Sequence, residues 1–222
     1  MASRSTAMDS ATAQSLPAAP NPGPQAVPNL LLPREPVPIR LMNTVWAVRT
    51  RRHDGLTTPG ELATWLTAVE QPEEAIAPDA ADLERFRALR DALRRLAADL
   101  TGDTRPYAES TDAELNDAVT IVNQAAAQAP NWSQLARRDG NLELAPVGSA
   151  RVTQRLLASI AHEAIALLTG PDRDKLRACY APNCVLFFLQ DQPRREWCSP
   201  VCGNRVRAAR HYLRHHQNQP DR

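Results

Sequence analysis

Residues 179–216 read CYAPNCVLFFLQDQPRREWCSPVCGNRVRAARHYLRHH and hold all four cysteines of the chain. Cys179, Cys184, Cys198 and Cys202 follow the pattern C-x4-C-x13-C-x3-C. Two close pairs separated by a short insert suit a tetrahedral four-thiolate site, each pair supplying one edge while the insert turns the chain back. A zinc ion with four cysteine ligands has a filled shell and no position for a water nucleophile, so its role is structural. Its binding free energy, roughly 10–16 kcal/mol in small zinc peptides, then becomes folding free energy for a segment too short to build a large core. Disulfides, or four unrelated buried thiols, are the alternatives. His211, His215 and His216 are rival ligands by type, but their position at the end of a basic helix reads as a solvated tail.

Inside the insert, VLFFLQD reads as a short strand and QPRR as a turn. The helix that follows starts with Ser199 as cap and Pro200 at its first position, which puts Cys202 in the first turn. At about 100° per residue, Cys202, Val206, Ala209 and Leu213 form one stripe, expected to face the metal and the hairpin. Arg207, Arg210 and Arg214 share a flank, with His211 beside them and Asn204 nearer that side. Between residues 194 and 216 there are six arginines (194, 195, 205, 207, 210 and 214) against the single acid Glu196.

Guanidinium forks on a rigid support match phosphate oxygens and guanine edges, so the segment reads as a nucleic-acid surface. Arg207, Arg210 and Arg214 are the expected contacts, with Arg194 and Arg195 on the neighbouring turn touching phosphate. The competing reading is a soluble amphipathic helix in an arginine-biased sequence. Arg205 lies on the other side of the stripe and reads as a brace, through a carboxylate or a carbonyl. Gly203 inside the helix costs about 1 kcal/mol against alanine and points to close approach of another backbone or of a nucleic acid.

The whole chain gives only local support for this. Its 222 residues have a net charge of +1, with 43% hydrophobic and 23% charged residues, enough for one ordinary domain and a smaller module. Lys175 is the only lysine, so arginine abundance by itself says little about phosphate. No apolar run reaches membrane-span length and no secretory signal is expected, which suggests a cytoplasmic, nucleoid-associated protein with reduced thiols.

Residues 1–38 hold eight prolines and read as a disordered leader, with NLLLP docking on the fold. Residues 39–170 read as a helical domain with a short β-hairpin. In TTPGELATWLTAV, Thr58 caps, Pro59 opens and Glu61 closes a box, with Leu62, Trp65, Leu66 and Val69 on one face. The longest amphipathic helix carries Leu83, Phe86, Leu89, Leu93, Leu96 and Leu100. Its arginines 85, 87, 90, 94 and 95 are expected on a solvated face.

A further helix is expected from a Thr111–Glu114 box to Pro130, and another over RLLASIAHEAIALLTGP, ended by Gly170 and Pro171. NLELAPV, paired with ARVTQ, is the expected hairpin. No glycine-rich phosphate loop, acid pair or nucleophile triad stands out. His53 and His162 are isolated, and Trp46, Trp65 and Trp132 read as packing, so catalysis is not expected.

At WCSPVCGNRVRAARHY the sequence resembles the CGNR zinc-finger family, whose name is spelled by Cys202, Gly203, Asn204 and Arg205. Trp197 and the upstream pair Cys179 and Cys184, with LFF following, share its pattern. One departure is that three residues separate Cys198 from Cys202, where four also occur in that family. Upstream, LMNTVW, LTTPGELATWL, LERFRALRDALRRL and ELND resemble the ABATE domain that accompanies this finger.

The resemblance implies a bacterial, stress-associated transcription regulator with a treble-clef-like finger at 171–216 and a tail at 217–222. The finger would bind DNA, and the ABATE domain would sense a small-molecule effector or assemble a homodimer. The alternative is a protein-interaction module without direct DNA binding. RNA is disfavoured because the finger has little to stack bases on.

Overall fold

The computed structural model of the chain describes residues 32–48, 51–70, 75–105, 114–129, 134–145 and 150–217. In chain order the elements are α1 (Val37–Met42), β1 (Val45–Val48), β2 (Arg51–Asp54), α2 (Pro59–Glu70), α3 (Ala80–Thr101), α4 (Leu115–Ala126), β3 (Gln134–Arg138), β4 (Asn141–Ala145), α5 (Val152–Thr169), a 3-10 turn (Pro171–Lys175), β5 (Leu176–Ala178), β6 (Phe187–Leu189) and α6 (Pro200–Gln217). The described residues are mainly helical, with three separate antiparallel strand pairs. Residues 1–31 of the expected leader, the Thr111 cap, Pro130, Trp132 and residues 218–222 lie outside them.

The long helix α3 organises the body. Asp79 accepts from the Asp82 backbone N–H at 2.7 Å and its own N–H donates back to the Asp82 carboxylate at 3.2 Å, so two orphan donors of the first turn are satisfied. Gly102 ends the helix with φ +57, a left-handed cap that glycine adopts without a Cβ clash. Leu83, Phe86, Leu89 and Leu93 are buried as their spacing predicts, whereas Leu100 reaches the surface. Small residues on the facing helices, Ala118, Ala125 and Ala126 of α4 and Ala161 and Ala164 of α5, share this core. So do Trp65 of α2 and Ile39, Leu41 and Met42 of α1.

The arginine face of α3 is not solvated throughout. Arg90 and Arg94 are each 2% exposed, and each is buried for a specific reason. Arg90 donates to Asp54 at 2.6 Å and to Asp91 at 2.9 Å. Among the described residues no carboxylate pairs with Arg94. It donates to the Met42 carbonyl at 2.9 Å and to the Val185 carbonyl at 3.2 Å, and its guanidinium lies 5.4 Å from the Phe187 ring centroid. Burial, then the nearby cations Arg52, Arg105 and Arg90, lower its pKa to about 9, still protonated at neutral pH. The helix therefore packs on two sides, against α4 and α5 and against α1 and the C-terminal finger.

Other starts and stops follow from local chemistry. The Glu61 carboxylate accepts from Thr57 and Thr58, and its N–H donates to the Thr58 hydroxyl at 3.2 Å, as the box over α2 requires. Gly170 closes α5, where a Cβ would stand 2.5 Å from the Ala166 carbonyl oxygen. The hairpin pairs NLELA with the upstream QLARR rather than with ARVTQ. Asp139 and Gly140 both have positive φ, the two-residue turn whose twist suits a hairpin. Residues 151–154 instead start α5, with the Gln154 side chain accepting from the Arg151 N–H at 2.9 Å.

Two boundaries differ from expectation. The fold starts ahead of residue 39: Leu32, from the NLLLP stretch expected to dock, packs on the finger, Glu35 is buried, and α1 begins at Val37. The finger also shares the main core, since Leu176, Ala178 and Phe187 join the cluster built by α3 and α5.

Replacing Arg94 by leucine should orphan two buried carbonyls, at about 1–3 kcal/mol each, partly offset by removing a desolvated cation. A net loss of about 2 kcal/mol in urea unfolding is expected. The surface change Arg87→Leu should stay within about 0.5 kcal/mol of the parent.

Candidate metal centre and basic helix

The knuckle between β5 and β6 carries Cys179 and Cys184, and the loop before α6 carries Cys198. Cys202 sits in the first turn of α6, where its N–H donates to the Ser199 hydroxyl at 3.3 Å. All four thiols are buried and unbridged, and their sulfur atoms lie within 4.8 Å of one another. Cys184 and Cys198 are 3.8 Å apart and Cys198 and Cys202 3.4 Å, far beyond a disulfide bond. A tetrahedral zinc with bonds of about 2.3 Å needs sulfurs about 3.8 Å apart, so the residues present fit the ion. Four cysteines form a site for one metal ion.

Hydrogen bonding among the thiols, led by the Cys179–Cys184 pair, pushes Cys179 well below the usual thiol range and Cys184 far above it. Cys198 is also pushed up, chiefly by Cys179. Four thiolates cannot all ionise in one buried cluster without a cation, and a bound zinc would supply that charge. Two donors support the sulfurs: the Cys198 N–H reaches the Cys179 sulfur at 3.5 Å, and Arg205 Nη2 lies 3.6 Å from the Cys202 sulfur.

The knuckle is clamped from the body. Asn43 donates to the Phe187 carbonyl and accepts from the Phe187 N–H, each at 2.9 Å, as if it were one more residue of a strand. Arg94 reaches the Val185 carbonyl. Arg105 reaches the carbonyls of Cys179, Cys184 and Leu186 at 3.2, 3.4 and 2.9 Å. The Glu35 carboxylate accepts from the Leu189 N–H at 2.9 Å and pairs with Arg195 at 2.5 Å.

The expected nucleic-acid residues divide into two groups. Arg195 is built into the interior frame. Besides Glu35 it donates to the carbonyls of Leu189 and Cys198, its guanidinium lies 4.9 Å from the Phe188 ring centroid, and its side chain is 24% exposed. Arg194, Asn204, Arg207, Arg210, His211 and Arg214 are exposed. Arg207 is hydrogen-bonded to the Asn204 side chain, which fixes its guanidinium on the helix surface. Arg194 and Arg207 line one open groove with Arg34, a residue the sequence reading passed over.

The supporting residues act as follows. Arg205 braces through a carbonyl, that of Pro182 at 2.7 Å. The close neighbour of Gly203 is Trp197: a Cβ there would stand 3.2 Å from the indole, so the ring would have to give way. The apolar stripe of α6 covers Cys202, Val206 and the half-buried Ala209 but stops there, because Leu213 is 57% exposed. The helix is seated by its first turns, and its C-terminal half projects beyond the finger.

Residues 175–215 match the CGNR zinc finger, and residues 35–171 match ABATE, described as "Putative stress-induced transcription regulator". The chain belongs to the ABATE family. It matches no curated protein. The ABATE segment and the finger meet at the clamp, and none of its four body residues was given that role by the sequence. Asn43 lies in the LMNTVW piece that carried the resemblance, yet nothing local gave it a role. Arg94 and Arg105 carried no signal in a chain where nearly every basic residue is arginine, and Glu35 sat among prolines.

The purified ABATE-family chain should carry one zinc per chain by elemental analysis. Cys184→Ser should remove it, and a chelator should lower the melting temperature of the parent but not of that variant.

Proposed function

We propose that this ABATE-family chain is a zinc-dependent DNA-binding regulator that reads DNA with α6. The observation that carries the reading is the makeup of that helix. Its sequence PVCGNRVRAARHYLRHHQ has four arginines and no acid. Arg207, Arg210 and Arg214 lie on its exposed surface, while Cys202 holds its first turn at the metal. A rigid base and a projecting cationic half suit phosphate contacts that position the helix and arginine forks that reach guanine edges. Arg194 and His211 flank this face, Asn204 orients Arg207, and Arg34 extends the groove.

In this reading the ABATE body senses a ligand or assembles subunits, and the protein works on the nucleoid in the cytoplasm. Catalysis plays no part. The closed four-thiolate shell supports this for the metal, because it leaves no open coordination position.

Fluorescence anisotropy with a labelled duplex tests the proposal. Affinity should fall steeply with salt, and the triple variant Arg207→Ala, Arg210→Ala, Arg214→Ala should flatten the log–log slope by roughly 3 while keeping its zinc. Arg195→Ala, in contrast, should lower thermal stability and leave the slope unchanged. Unaltered affinity in the zinc-loaded triple variant would exclude DNA binding through α6.

Tyr212 and Leu213, exposed on the same projecting end, favour a second reading in which α6 docks an acidic protein surface. Only the first reading gives measurable binding to random duplexes at moderate salt.

A further inference from the structure

Arg105 lies at the end of the segment that leaves α3, far in sequence from the four cysteines. Its side chain is 5% exposed. Nε and Nη2 grip the Asp103 carboxylate at 2.8 and 2.6 Å, and Asp103 is itself buried. Nη1 is left to face three carbonyls, those of Cys179, Cys184 and Leu186. The guanidinium lies 4.8 Å from the Phe187 ring centroid and 5.9 Å from that of Tyr180. Tyr180 ties the same segment in return, its hydroxyl donating to the Gly102 carbonyl and accepting from the Thr104 N–H, both at 3.3 Å.

Two of those three carbonyls belong to metal ligands themselves. The third closes the ligand loop, since the Leu186 carbonyl also accepts from the Cys179 N–H at 3.0 Å. Folding residues 179–186 so that both sulfurs point to one ion therefore brings three carbonyl oxygens toward one spot, the one that Arg105 Nη1 occupies. Their dipoles repel there, and burial removes the water that would screen them. A cation at that spot converts the repulsion into three charge-assisted hydrogen bonds.

We propose that Arg105 is a positioning residue of the metal centre: it holds the Cys179–Cys184 loop in chelating form, so that affinity for the ion is set by the ABATE body as well as by the finger. The inference does not rest on DNA binding. Outer groups that orient metal ligands change affinity by roughly 10–100-fold when lost. Arg105 does so through ligand carbonyls rather than through the sulfurs.

The test uses the full-length chain loaded with zinc or cobalt. Zinc transfer to a colorimetric chelator gives the affinity, and the visible spectrum of the cobalt form reports whether the ligand field stays tetrahedral and all-sulfur. Arg105→Gln should lose roughly 10–100-fold in zinc affinity. Arg105→Lys, which keeps the charge but lacks the fork, should fall between that variant and the parent, with an altered cobalt spectrum. Asn43→Ala is the control, because it removes two bonds between body and finger at Phe187 without touching the ligand loop. It should lower the melting temperature and leave zinc affinity within about threefold, well short of the loss expected when a group orienting the ligands is removed.

Equal affinity losses in Asn43→Ala and Arg105→Gln would reduce Arg105 to a general docking contact and overturn the proposal. Parent-like affinity and spectrum in Arg105→Gln would do the same. Should Arg105→Gln not fold, Arg105→Lys decides alone, and a parent-like result there sinks the idea.

Discussion

A finger of some forty residues cannot satisfy its own backbone, and that shortage governs the architecture. Strands β5 and β6 are three residues each, so their ladder leaves many carbonyl and N–H groups without strand partners. The helical body supplies donors and two acceptors from Glu35, Asn43, Arg94 and Arg105, each aimed at the backbone between Cys179 and Leu189. The metal fixes the sulfur side of this segment and the body fixes its amide side. Neither set of bonds replaces the other, because one acts on side-chain sulfurs and the other on backbone groups of the same short chain.

This division explains which arginines do what. A guanidinium has five donors and a flat hydrophobic face, so it suits a site where carbonyls converge beside an aromatic ring. Arg94 and Arg105 enclose Phe187 in this way, and Arg195 lies over Phe188. Those three are interior cross-links. The arginines of α6 beyond Arg205 point the same fork at solvent. One residue type thus builds the frame and furnishes the exposed charge, and composition cannot separate the two uses.

The parts legible in the sequence were those set by neighbours along the chain. The Thr58–Glu61 box, the Gly170 stop, the Ser199 cap and the cysteine spacing each depend on a few adjacent residues, and each appears where expected. The metal ligands were readable because four thiols at two short spacings have few other uses. What escaped notice depends on long-range pairing. Arg90 and Arg94 fall on the charged side of an amphipathic helix, and only the arrival of Asp54 and of the finger makes that side interior. The hairpin partner was misread because ARVTQ has β-branched residues, whereas the Asp139–Gly140 turn and the Arg151–Gln154 contact decide the matter. Gly203 was read as making room for a backbone or a nucleic acid, while the Trp197 ring, close in sequence, fills that space.

The clamp also decides how firmly α6 is held against the body. Three features seat α6, and all lie in its first turns: Cys202 at the metal, Arg205 on the Pro182 carbonyl, and Gly203 under Trp197. Two of them rest directly on the knuckle that the body holds. A swing of the finger on its connection would break the paired bonds of Asn43 and the three of Arg105, leaving buried carbonyls at about 1–3 kcal/mol each. Body and finger are therefore held as one piece rather than joined by a free hinge. The direction of the basic helix is a property of the whole fold.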